Sequence, residues 1–162
     1  VIACHPEAFT DKSRFSMDWY YPILGGAVRG AAAHARLAAG WDEFVEPAVG
    51  VRCVSDQPWA TGAETCELVI ALEAIGDSDR AIKLFTAIQH LRHADGAYWT
   101  GWQFANQAHF PAERSSWTAA AMILAADALS GATGGAALFR DVGIDPAAAR
   151  SAPDPTACGC GS

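Results

Sequence analysis

Four acidic residues sit where chemistry could be done. Asp18, Asp56 and Glu113 each stand beside aromatic residues at the start of an apolar stretch: Asp18-Trp19-Tyr20-Tyr21, Asp56-Gln57-Pro58-Trp59 and Phe110-Pro111-Ala112-Glu113. Glu64 lies three residues before Glu67, so the two share one face of a helix whose other positions are apolar. Carboxylates in apolar surroundings are costly unless paired, and this cost makes Glu64 and Glu67 a candidate acid/base pair. Partnering with Arg29, Arg52 or Arg114 would instead make the pair structural. Asp18, Asp56 and Glu113 have a plain reading too, because acids cap helices and stabilise their first turns. Six tryptophans are many for 162 residues. Trp59, Trp99, Trp102 and Trp117, with Tyr20, could line a substrate cavity, stabilise a cation or stack on a sugar ring; they could equally fill space between helices.

Other chemistries find little support. His34, His90, His93 and His109 show no metal-ligand spacing with a carboxylate, and no metal site is assigned. Cys158-Gly159-Cys160 brings no further ligands. No phosphate-binding loop or nucleophile elbow is present, and no cofactor can be named. The formal net charge is −7 with 11 Lys plus Arg and no basic run, which argues against nucleic acid as a partner. No apolar stretch reaches the ~20 residues of a membrane span. Five scattered cysteines do not form a disulfide framework, and a reducing cytoplasm is the expected location.

The elements that must position these residues read as helices. Pro22 suits the first turn of a helix over 23–39, closed by Gly40. A short helix is expected over 41–49, and a loop or extended piece over 50–59. Residues 61–75 are apolar nearly all round, as are 113–129, so both helices are expected to be buried. Gly76-Asp77 is a helix stop followed by an N-cap. The helix 78–92 that follows is amphipathic, and 97–110 is irregular and aromatic-rich. The proline-, tryptophan- and threonine-containing stretches before 61–75 and 113–129 look like a repeat, a mark of helical-hairpin architectures. Alternation of fully and half-buried helices then predicts an all-α fold, an (α/α) toroid of which residues 1–144 make about half. Missing N-terminal residues or a second chain would supply the rest. A disordered tail is expected over 145–162.

The turn Asp95-Gly96-Ala97-Tyr98-Trp99, the helix 117–129 with Thr118 and the unit 58–77 resemble the α-α toroid of terpenoid cyclases and protein prenyltransferase β-subunits. That resemblance implies a prenyltransferase-like protein acting on an isoprenoid or other apolar small molecule. Asp56 or Glu113 would be the general acid, and the tryptophans the cavity walls. The Asp-x-Asp-Asp motif of the cyclases is absent, and Cys53-Val54-Ser55-Asp56 reverses the Asp-x-Cys order of the prenyltransferases. Two other readings stand beside it. One is a six-hairpin glycosidase-like enzyme in which two carboxylates, Asp18 with Asp56 or Glu64, cleave a glycosidic bond. The other is a non-catalytic helical scaffold.

Overall fold

The computed structural model describes residue 8 and residues 10–140. The tail expected over 145–162 lies outside the described residues. Five helices surround or extend from one another: α1 (Ser16–Leu24), α2 (Gly30–Phe44), α3 (Gly62–Ala74), α4 (Ser78–Ala87) and α5 (Ser116–Ser130). Five short strands accompany them: β1 (Val45–Glu46), β2 (Gly50–Arg52), β3 (Trp59–Thr61), β4 (Gly101–Gln103) and β5 (Ala108–His109). They form one antiparallel sheet in the order β1-β2-β3-β4-β5. The α3–α4 hairpin is inserted between β3 and β4.

This is an α+β fold, which corrects the all-α toroid. The helices gather around α3, which packs on α1, α4, α5 and β2. The strands escape a reading of hydrophobic period because each is only two or three residues long, too short to display alternation. Their pairing shows instead in close backbone approach. A Cβ on Gly101 would sit 2.6 Å from the Phe110 carbonyl oxygen and 2.7 Å from that of Ala60. Only glycine lets β4 lie between its two neighbours there.

The core follows from α3. Its Leu68, Val69, Leu72 and Cys66 are fully buried, along with Thr65. Thr65 secures α3 to the sheet by accepting a hydrogen bond from the Val51 amide at 2.8 Å and donating to the Thr61 carbonyl at 2.6 Å. Gly76 adopts φ +80° after α3, and the Asp77 side chain caps α4 by accepting from the Arg80 amide. The chain expected as one helix over 23–39 is two. Residues 25–29 break it, and Gly40 lies inside α2 against the Trp19 indole rather than at its end. The helix opened by Glu113 begins three residues later, where Ser115 accepts from the Thr118 amide. It is buried on one side only: Trp117 is 49% exposed and Ile123 70%.

Candidate active site

The first two turns of α3 point Glu64 and Glu67 toward α1. Glu64 is 3% exposed, and its Oε2 has no hydrogen-bond partner among the described residues. Glu67 is half-buried one turn on, and the Tyr20 hydroxyl donates to its Oε2 at 2.5 Å. Tyr20 itself is fully buried in α1. Tyr21 and Trp117 lie near the same carboxylate and favour its charged form. Tyr21 and Trp117 are both substantially exposed, whereas Glu67 is half-buried. The Cys53 thiol is close enough to Glu64 to feel its charge.

The electrostatics of this cluster favour a bound proton. Burial raises the Glu67 carboxyl above its usual range, and the neighbouring Glu64 adds to the rise, while the three donors oppose it. The same negative surroundings affect the groups around it. Burial and the two glutamates push Tyr21 up to about 12 and Cys53 up to about 12. Tyr20 is raised further still, so all three stay neutral donors at physiological pH. Of the arginines that could have neutralised the pair, Arg52 is held by Glu46 and Arg114 by Asp95.

The other candidate acids lie elsewhere. Asp56 is exposed and accepts both of its hydrogen bonds from the Arg14 side chain, at 2.9 and 3.0 Å. That contact holds its carboxyl below the usual range, so it remains ionised. Glu113 is exposed in the loop before α5, where its backbone carbonyl accepts from Thr100. Asp18 is exposed in the first turn of α1, 4.0 Å from Arg36. It borders a groove of about 670 Å3 that Tyr21 also lines.

The tryptophans do not share one cavity. Trp117 joins Glu67. Trp59 and Trp102 lie on opposite faces of the sheet, because Trp59 pairs with Gln103 and Trp102 with Ala60. Trp59 meets Phe110 at a tilt of 37°, ring centroids 5.0 Å apart. Trp102 meets His109 and His90, and Trp99 lies between a stacked His109 at 4.5 Å and the Arg114 guanidinium at 5.5 Å. Among the described residues, no group of three or more His, Cys, Asp or Glu could hold a metal ion. Nor is any helix there long and apolar enough to cross a membrane. Spacing on one helix face brought Glu64 and Glu67 to notice in the sequence. Tyr21 and Cys53 carried no such mark, since each reaches the site from a different element.

No family model matches the chain. It is similar to a protein of Mycolicibacterium hassiacum named MMP endo-(1,4)-3-O-methyl-alpha-D-mannosidase, with 59% identity over 144 residues, or 89% of this chain. The chain spans 40% of the length of that curated relative. A glycosidase at this identity overturns the prenyltransferase- or terpenoid-cyclase-like reading and its transferase chemistry, and favours the glycosidase-like alternative.

Proposed function

We propose that this chain carries catalytic groups of a glycoside hydrolase acting on 3-O-methylated, (1,4)-linked mannose chains. The observation that carries the reading is the Glu64/Glu67 pair: two carboxyls on one face of α3, Glu64 buried and Glu67 raised by burial and held by the Tyr20 hydroxyl, in a sequence 59% identical to a mannosidase. Glycosidic cleavage needs an acid that still holds its proton near neutral pH. Glu67 takes that part. Its proton passes to the glycosidic oxygen as the bond from that oxygen to the anomeric carbon breaks. Water then supplies the new oxygen at that carbon and gives its proton to the second carboxylate. Burial raises the Glu67 carboxyl, and Glu64 is the buried neighbour that adds to the rise. The two share one face of one helix and so approach the sugar from the same side. The second carboxylate of a glycosidase works from the opposite side of the ring and belongs to another element.

The test is Glu67→Gln in the full-length natural protein, assayed for hydrolysis of 3-O-methylmannose oligosaccharides. General acid catalysis is worth about 10²–10⁴-fold, and kcat is expected to fall by that order. Full activity in a folded Glu67→Gln protein would refute the assignment.

A further inference from the structure

The groove beside α1 is lined by Phe15, Met17, Tyr21 and Pro22, with Lys12 and Asp18 among its polar members. Its volume, about 670 Å3, is that of a small-molecule site. Phe15 and Tyr21 are 36% and 43% exposed, so apolar surface is on offer there. Tyr21 gives the groove its meaning. Its ring forms part of the wall and packs edge-on against Tyr20, whose hydroxyl donates to Glu67, and Tyr21 itself lies near that carboxylate. Whatever occupies the groove therefore lies within one side chain of the proposed proton donor.

We propose that this groove is the subsite that seats the O-methyl face of a methylated mannose unit next to the bond being cut. The proposal rests on the glycosidase reading above and adds to it the residues that choose the substrate. An unmethylated sugar presents hydroxyl donors at each position, and an apolar wall leaves those donors unpaired once water is expelled. A methyl ether has no donor to strand, and its methyl group gains by burial. Phe15 and Pro22 offer no acceptor side chain to a hydroxyl and Met17 only a weak one, whereas Lys12 and Asp18 can meet the hydroxyls that methylation leaves free. The wall thus rejects the plain sugar and retains the methylated one. A single methyl in an apolar pocket is worth roughly 10–200-fold in discrimination.

The experiment uses the full-length natural protein and two probes of equal length: a 3-O-methylmannose tetrasaccharide and its unmethylated (1,4)-linked counterpart. KM and kcat for both are compared in the unsubstituted enzyme, Met17→Gln and Phe15→Gln. The unsubstituted enzyme is expected to prefer the methylated probe. Each substitution should lower that preference about tenfold, through a higher KM for the methylated probe. Folded variants with an unaltered preference, or with equal losses on both probes, would overturn the proposal. If the unsubstituted enzyme cleaves neither probe, the glycosidase reading itself fails. Amide hydrogen exchange on the unsubstituted protein keeps the question open to test should the variants misfold. Protection of residues 12–27 by the methylated probe alone supports the subsite. Bound sugar without that protection refutes it.

Discussion

Tyr20→Phe isolates one hydrogen bond at the candidate site. The ring stays in its fully buried place on α1, against Trp19 and Tyr21, and only the donor to Glu67 Oε2 is lost. A hydrogen bond to a charged group is worth about 1.5–3 kcal/mol. Tyr21 and Trp117 continue to serve the same carboxylate, which places the loss near the lower figure. At 1.36 kcal/mol per pKa unit, about 1.5 kcal/mol moves the Glu67 carboxyl upward by roughly one unit. If Glu67 is the proton donor, the basic limb of kcat/KM shifts to higher pH by the same amount. Stability must move in step. Glu67 is already raised in the fold, so its contribution is fully present below the unfolded pKa and is lost as pH rises through the folded value. Tyr20→Phe raises that folded value further. The gap in Tm between variant and parent should be small near pH 4, where Glu67 is protonated in both. It should widen to about 3–6 °C at pH 8, given roughly 2–4 °C per kcal/mol for a chain of this size. A gap of equal size at both pH values, with an unmoved basic limb, would refute the placement of a titrating Glu67 under Tyr20.

Gly101→Ala sets a methyl 2.6–2.7 Å from two backbone carbonyls, and should lower stability by about 1–3 kcal/mol or more in thermal unfolding. Thr65→Val strands the buried Val51 amide, and a loss of about 1–3 kcal/mol is expected by denaturant unfolding. Asp56→Asn only breaks an exposed pair with Arg14, so activity and Tm should stay at the parent values, and a collapse of activity would return Asp56 to the site.

Much of the helical framework was legible because helices announce themselves over ten or more residues. The all-round apolar run of α3, the Gly76-Asp77 junction and the amphipathic α4 each express a local rule that tertiary context did not overturn. Strands of two or three residues give no such span, and their partners are far apart in sequence. β3 and β4 pair only because α3 and α4 fold back between them. The apparent repeat misled for a related reason. Residues 58–65 and 111–118 share composition, but the first includes a strand that feeds α3 directly, whereas the second is a loop leading to a helix that Ser115 caps. Composition was common to both; hydrogen bonding was not. Gly40 shows the converse. As a punctuating residue it suggested a helix end, but it is needed inside α2 because a Cβ there would lie 2.7 Å from the Trp19 indole nitrogen.

The site was half legible, and the division is physical. Two carboxylates three residues apart on an apolar helix are a local contradiction, and such contradictions mark function because burial of charge costs stability. What resolves the contradiction is not local. Glu67 is served by Tyr20 and Tyr21 from α1 and by Trp117 from α5, elements separated from it by some fifty residues on either side. Glu64 finds no equivalent partner for Oε2. The fold can hold this arrangement because the same helix is fixed elsewhere: Leu68, Val69 and Leu72 are fully buried, and Thr65 ties α3 to two strands. A helix anchored on nearly every side can keep a carboxyl protonated where a surface helix would turn it to water. On this argument the core around α3 belongs to the chemistry as much as to the fold. Leu72→Ala should therefore cost about 2–5 kcal/mol, and should also loosen Glu67 from its donors and return its carboxyl toward the ordinary range. Amide exchange along α3, read beside a pH–rate profile, tests both halves together; an acid limb and a basic limb unchanged in a measurably destabilised variant would separate the core from the chemistry and refute the link.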